Sequence, residues 1–261
     1  MLTKRLIACF DIVSGRVTKA VQFQDNIDVA PAEALAAAMY KAQIDELIFY
    51  DITASAEKRS IDIDTVKKVA QCVFVPFTVG GGIKDLNDMY EALKAGAEKI
   101  SVDSMAVRNP QIISDGAKAF GSQCIVLSTQ VKRTDNMPSG YEVYIDGART
   151  ATGLDAIEWL KRGQALGAGE ICLNSIDNDG MLCGYDIALM QKAEKAVSIP
   201  LIASGGAGKP EHLKALFTET ESLAAIISSM LYSPRLEKNY TVDALKEYLL
   251  QNGVNMRPYR R

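Results

Sequence analysis

Val79-Gly80-Gly81-Gly82-Ile83 closes one short apolar run, and Ala203-Ser204-Gly205-Gly206-Ala207-Gly208 closes another about half a chain later. A glycine pair at a strand end lets the backbone turn tightly and approach an anion, while the next helix offers unpaired N–H groups and the positive end of its dipole. One such loop is weak evidence, because glycine loops often serve only the turn. Two at matching places in two halves suggest a repeated half-barrel that grips one ligand by two phosphates.

Eight short β-like runs surround these loops, at 6–10, 46–50, 74–79, 98–102, 124–129, 170–173, 200–203 and 223–227. Helical patterns fill the intervals at 32–42, 86–95, 111–120, 156–166, 187–196 and 211–218, with stops at Ala95-Gly96 and Leu166-Gly167. Strict alternation of strand and helix means parallel strands with helical crossovers, and eight units close a (β/α)8 barrel of the α/β class. No linker or low-complexity stretch divides the 261 residues, so they read as one domain with half-barrels at about 1–121 and 122–261. The longest connection, 131–155, holds an apolar run at 141–145 and the turn pair Asp146-Gly147, which predicts a hairpin in an active-site loop.

A net charge of −3 with no basic stripe argues against a nucleic-acid partner. The five cysteines (Cys9, Cys72, Cys124, Cys172, Cys183) are odd in number and contain no Cys-x-x-Cys, which fits a reducing cytoplasm. No apolar stretch approaches the ~20 residues of a membrane span, so neither export nor a membrane is expected. His212 is the only histidine and receives no role, a His-based triad is excluded, and Trp159 reads as packing. No metal and no cofactor are called for.

Polar residues follow nearly every run: Asp11, Asp51, Asp103, Gln130, Asn174, Asp177, Ser204 and Ser228. In a barrel of this kind the C-terminal strand ends carry the chemistry. At the opposite ends stand Arg5, Glu46, Lys99 and Glu170. By residue type alone these are solvated strand ends; the alternative is a ring across the barrel bottom, contributed by every second strand.

Over essentially its whole length the chain resembles the cyclase subunits of imidazole glycerol phosphate synthase. The resemblance is carried by Lys4-Arg5-Leu-Ile-Ala-Cys-Phe-Asp11, Asp51-Ile-Thr-Ala-Ser55, Phe77-Thr-Val-Gly-Gly-Gly-Ile83, Gly121-Ser-Gln123, Gly167-Ala-Gly-Glu-Ile171, Ser175-Ile-Asp-Asn-Asp-Gly180, Gly184-Tyr-Asp186, Ile202-Ala-Ser-Gly-Gly-Ala-Gly208 and Leu245-Lys-Glu-Tyr-Leu249. The resemblance implies a lyase of histidine biosynthesis. Its substrate would be a bis-phosphorylated small molecule, phosphoribulosyl-formimino-aminoimidazole-carboxamide ribotide. Ammonia would come from a separate glutaminase subunit of the HisH type docked on the N-terminal face, and the products would be imidazole glycerol phosphate and the aminoimidazole ribotide. It further implies that Arg5, Glu46, Lys99 and Glu170 form the ammonia gate and that Asp11 is the first of two acid/base aspartates. Lys19 would close over the substrate from the long loop after strand one. The phosphates would meet Gly81, Gly82, Asp103, Ser104, Asp179, Gly180, Gly205, Gly206, Ser228 and Ser229.

Where the resemblance places the second aspartate this chain has Gln130, whose amide keeps a donor and an acceptor but exchanges no proton near neutral pH. Ala20, Val29-Ala30-Pro31, Met181 and Asp103 also depart from the family pattern, Asp103 standing for an asparagine. An aspartate beside a phosphate repels it unless protonated or turned away. The alternative reading is therefore a paralogue that delivers ammonia to another acceptor, or that activates a glutaminase without cyclase activity.

Overall fold

The computed structural model describes residues 2–21, 24–54, 59–233 and 236–257; Ser55 of the quoted motif and the side chain of Ala20 lie outside them. Strand β1 (Arg5–Val13) runs through a hairpin, β2 (Arg16–Val21) and β3 (Gln24–Pro31), into α1 (Ala32–Lys41). There follow β4 (Glu46–Asp51), α2 (Ile63–Ala70), β5 (Phe77–Gly80), α3 (Leu86–Lys94), β6 (Lys99–Val102), the short α4 (Ser104–Arg108) and α5 (Gln111–Phe120). Past a 3-10 turn at Ser122–Cys124 come β7 (Ile125–Arg133), the hairpin β8 (Tyr141–Ile145) and β9 (Thr150–Asp155), and α6 (Ala156–Leu166). The chain then continues through β10 (Glu170–Ser175), α7 (Ile187–Ala196), β11 (Leu201–Ser204), α8 (Pro210–Glu219), β12 (Ala224–Ile226), α9 (Ser228–Tyr232) and α10 (Val242–Gln251).

Strands β1, β4, β5, β6, β7, β10, β11 and β12 pair in parallel in that order, and β12 returns to β1. The sheet closes, so the fold is an eight-stranded (β/α)8 barrel. Each half opens on a nine-residue strand, β1 or β7, that overshoots the barrel and pairs antiparallel with its own hairpin. The second hairpin matches the sequence expectation at 141–145. The first is an addition, since 14–31 reads as loop. Its signal is the Ser14-Gly15 pair, both at positive φ (48° and 76°), the backbone of a two-residue hairpin turn.

Boundaries shift for local reasons. The run at 74–79 enters the ladder only after Pro76, which has no N–H to give and contributes its carbonyl to Leu47 N (2.9 Å). Aspartates start several helices: Asp62 on α2, Asp85 on α3, Asp155 on α6 and Asp186 on α7 each accept a backbone N–H of the first turn. Gly167, at φ 110°, ends α6 as its sequence position suggests. Trp159 on α6 is buried, in keeping with packing.

The core has two compartments. One lies between the sheet and the helices, where Leu6, Leu47, Phe49, Val79, Ile100 and Leu127 face the helical ring. The other fills the barrel itself with Ile7, Cys9, Ile48, Val126, Cys172, Ile202, Ala224 and Ile226. Alternate residues of one strand go to opposite compartments, as the pleat requires.

Helix α10 packs in the outer helical layer and is tied to the segment before β4 through a buried pair. Lys246 Nζ lies 2.6 Å from Asp45 Oδ1 and 2.9 Å from the Gln43 carbonyl, while Asp45 Oδ2 accepts Leu6 N at 2.9 Å. Both charged side chains are 1% exposed, so removing one partner strands the other charge away from water. Lys246→Met is expected to cost about 3–5 kcal/mol in urea unfolding. A loss under about 1 kcal/mol would show that the pair does not pin the helix.

Candidate functional site

At the C-terminal ends of the barrel strands a cavity of about 780 Å³ has Cys9, Cys172 and Ile226 of the barrel filling in its lining, with polar side chains further along the same strands. Asp11 follows Cys9 on β1, Asp103 follows Ser101 at the end of β6, Gln130 follows Ser128 on β7, and Asn174 follows Cys172 on β10. Strands β1 and β7 stand four places apart in either direction around the barrel, so Asp11 and Gln130 face each other across the cavity. Lys19, on β2 rather than in a loop, reaches the cavity from the hairpin whose Thr18 pairs with Asp11.

Two glycine turns sit on opposite sides of the mouth. Gly81 and Gly82 follow β5, and Gly205 and Gly206 follow β11, all four at positive φ. Two of them admit no side chain on grounds of space as well. A Cβ on Gly81 would lie 2.2 Å from the Asp51 carbonyl oxygen, and one on Gly206 would lie 1.9 Å from that of Gly184. Beside each turn a short helix starts, α4 at Ser104 and α9 at Ser228 and Ser229, and all of these residues line the cavity. Ser228 differs from Ser229 in its duties: its hydroxyl accepts from Cys9 N (2.8 Å) and donates to the Cys9 carbonyl (2.9 Å), tying α9 to β1. Asp179 lines the cavity, whereas Gly180 does not.

Several lining residues carry no obvious sequence signal. Lys84, Arg108 and Arg149 bring positive charge to the mouth, and Tyr50 bonds Ser101 across the wall (3.0 Å). Arg108 reaches the cavity from α4 and holds Asp146 of the second hairpin turn at 2.7 Å. Asp51 is occupied structurally, accepting Arg59 at 2.5 and 2.8 Å and the Ala54 N–H at 3.1 Å, so it orders the loop after β4. Asp177 accepts the Arg133 N–H (2.9 Å) and is not a cavity residue.

The carboxyls differ in environment. Burial pushes Asp11 up from its ordinary value, against the opposing pull of Lys19. Burial likewise raises Asp179 to about 6, with Lys19 lowering it and Asp11 raising it. Asp103 rises to about 7, because desolvation, with repulsion from Asp146, outweighs the donor from Gln130 and the attraction of Arg108. Gln130 Nε2 donates to Asp103 Oδ2 at 2.7 Å. The Asp103 side chain thus turns toward Gln130 and holds its proton to near neutrality, the two conditions under which an aspartate is tolerated beside a phosphate. Burial lifts the Cys172 thiol to about 12 and Cys9 well above its usual range, so neither is a thiolate nucleophile.

At the other end of the barrel, two residues below the apolar filling, the four charges form a closed ring. Arg5 contacts Glu46 and Glu170 at 2.5 Å each, and Lys99 contacts the same two carboxylates at 2.9 and 2.7 Å. Burial disfavours the charge on Arg5 and on Lys99, yet Glu46 and Glu170 outweigh it and raise both. One detail corrects the sequence reading: the ring is not drawn from every second strand, since Arg5 and Glu46 come from the adjacent strands β1 and β4.

Fold and site together define a (β/α)8 barrel with an acid-lined cavity at the strand C-termini, the place where barrels of this class carry their chemistry. The family profile described as "Histidine biosynthesis protein" matches residues 5–237. The chain is 52% identical to imidazole glycerol phosphate synthase subunit HisF of Desulfosudis oleivorans, across 98% of this chain and 99% of that protein. The subunits of the same name from Desulfatibacillum aliphaticivorans and Desulforapulum autotrophicum are 49% and 51% identical, each across 98% of this chain and 98% and 99% of their own lengths. The chain belongs to this family, the HisF-type cyclase subunits of imidazole glycerol phosphate synthase in histidine biosynthesis. Among the described residues no helix is long and apolar enough to cross a membrane.

Asp103 makes stability depend on pH. The folded chain keeps this proton up to about pH 7, the unfolded chain only to about 3.8, so between these values the folded state binds more protons and loses stability as pH rises. Asp103→Asn removes that loss. Relative to the natural chain, its melting temperature is expected to rise steadily from about pH 4 to about pH 8. A difference that stays constant over this range would place Asp103 in a more solvated setting.

Proposed function

We propose that this chain uses ammonia to convert phosphoribulosyl-formimino-aminoimidazole-carboxamide ribotide into imidazole glycerol phosphate and the aminoimidazole ribotide. The observation that carries the reading is the pairing of two glycine turns, after β5 and after β11, on opposite walls of one cavity with Asp11 between them. One phosphate would sit at Gly81, Gly82 and Ser104, with the backbone of Asp103. The other would sit at Gly205, Gly206 and Ser229, with Ser228 offering its N–H while its hydroxyl holds β1. Lys84, Arg108 and Arg149 supply charge of the right sign at the mouth. Asp179 contributes near Lys19, and Gly180 shapes its loop without facing the ligand. Asp11 acts as general acid/base and Lys19 lies over the bound substrate.

The nitrogen would come from a HisH-type glutaminase docked on the N-terminal face, through the ring of Arg5, Glu46, Lys99 and Glu170. Between ring and cavity lies a mostly apolar filling, whose polar members, Thr78, Ser101 and Ser128, are neutral hydroxyls. Such a layer passes neutral ammonia and rejects ammonium, whose burial unpaired costs many kcal/mol. It also keeps bulk water from entering through the floor of the barrel.

The experiment is turnover of the ribulosyl-formimino substrate with saturating ammonium and no partner. The natural chain is expected to form both products, and Asp11→Asn to lower kcat by about 10²–10⁴-fold. Tight binding without turnover would point instead to a barrel that activates a glutaminase or passes ammonia to another acceptor. An unchanged rate in Asp11→Asn would remove Asp11 from the chemistry.

A further inference from the structure

The carboxylates around the cavity are unequal in what they are free to do. Asp51 is spent on Arg59 and the loop after β4, and Asp146 is paired with Arg108. Asp11 and Asp179 share one side of the cavity with Lys19. On the opposite side stands Asp103, and among the bonds described its carboxyl receives one side-chain donor, the uncharged amide of Gln130. Both members of this couple line the cavity, and Gln130 Oε1 is buried with no hydrogen-bond partner among the described residues.

From this placement, and resting on the function proposed above, the geometry points to Asp103 as the acid/base group that works opposite Asp11, with Gln130 as its positioning residue. Gln130 occupies the strand position facing Asp11 but cannot exchange a proton; its neighbour across a 2.7 Å hydrogen bond can. An amide suits the positioning task. It donates to the carboxylate through Nε2, and its oxygen can accept from the acid form after a rotation of the side chain, so the couple is satisfied in both protonation states. A lysine or arginine there would hold the carboxylate ionised; another carboxylate would compete for the proton. The charged and titratable groups facing Asp103 are Asp146 from the hairpin turn, Arg108 from α4 and the Cys172 thiol from β10. In that company the carboxyl titrates near neutrality, where a general acid/base is most effective.

The step balances without another reactant. Ammonia adds to the ketone carbon of the ribulosyl group, the carbon–oxygen π pair moves onto oxygen, and the protonated Asp103 gives its proton to that oxygen. The resulting carboxylate takes a proton from the new ammonium nitrogen, leaving a neutral carbinolamine. The regenerated acid then protonates the hydroxyl, which departs as water while the nitrogen lone pair forms the C=N bond. The iminium returns its extra proton to Asp103. The sum is one ketone and one ammonia giving one imine and one water, with nothing oxidised or reduced.

The test compares the natural chain, Asp103→Asn and the exchanged pair Asp103→Asn/Gln130→Asp, with the ribulosyl-formimino substrate and saturating ammonium across pH. Asp103→Asn is expected to lower kcat by about 10²–10⁴-fold with KM changed less than about threefold, and to lose the limb of the pH profile near neutrality. The exchanged pair puts a carboxyl back on the other side of the same hydrogen bond and is expected to recover to within about tenfold of the natural rate. An Asp103→Asn enzyme that keeps its rate and its pH profile would overturn the assignment and leave the cyclase reading intact. So would an exchanged pair as slow as Asp103→Asn, since a carboxyl on that wall would then not suffice. No turnover by the natural chain would overturn both together.

Discussion

Everything in this protein depends on the two-residue period of a β-strand inside a closed barrel. A strand that sends one side chain to the helices must send the next into the barrel, so every second residue of a strand lies in the barrel interior. On β1 the interior sequence is Arg5, Ile7, Cys9 and Asp11; on β10 it is Glu170, Cys172 and Asn174. Stacked around the barrel, these make a charged floor, an apolar middle and a polar top. A slip of one residue in β1 or β10 would trade an interior charge for a core aliphatic, which ties the register to burial.

The three layers have different physics. The floor ties two cations to two carboxylates in a closed cycle, so each charge is satisfied twice and none is left bare. Breaking one member would leave its partners poorly compensated in a place water reaches only partly. Among the described residues the middle is mostly apolar, with neutral hydroxyls at Thr78, Ser101 and Ser128 and no charged side chain. The top gathers Asp11, Asp103, Asp179, Gln130 and Asn174 in one cavity with Lys19, Lys84, Arg108 and Arg149, and there burial raises the three acids above their ordinary value.

The two halves share a plan down to the overshooting first strand and its hairpin, the glycine turn on the third strand and the short helix after the fourth. They part where the chemistry would be. Asp11 in the first half has Lys19 for company; its counterpart Gln130 has Asp103. A cavity built from near-equivalent halves therefore carries one acid held close to a cation and another held beside an amide.

Much of the fold was legible because its signals are local. Strand and helix alternated in the sequence, Gly167 marked the end of α6, and the glycine turns stood directly after apolar runs. Less legible was anything created by closure. Arg5, Glu46, Lys99 and Glu170 read individually as solvated strand ends, and only the barrel brings four distant positions within hydrogen-bond reach. The first hairpin was hidden because its turn, Ser14-Gly15, is short and its strands mix charged and apolar residues. Lys84, Arg108 and Arg149 gave no warning, since a lone cation at a helix end or in a loop has no spacing to recognise. Gln130 and Asp103 each read as a departure; their meaning lies in the bond between them, which no linear distance of 27 residues announces.

The measurement that bears most directly on this account is the crystal structure of the Asp11→Asn form with the bis-phosphorylated ribulosyl substrate bound. The account expects one phosphate against Gly81, Gly82 and Ser104, the other against Gly205, Gly206 and Ser229, and the reacting carbons within hydrogen-bond reach of residue 11 on one side and Asp103 on the other. Both phosphates on one side of the mouth, or a phosphate seated against the Asp103 carboxyl, would contradict it.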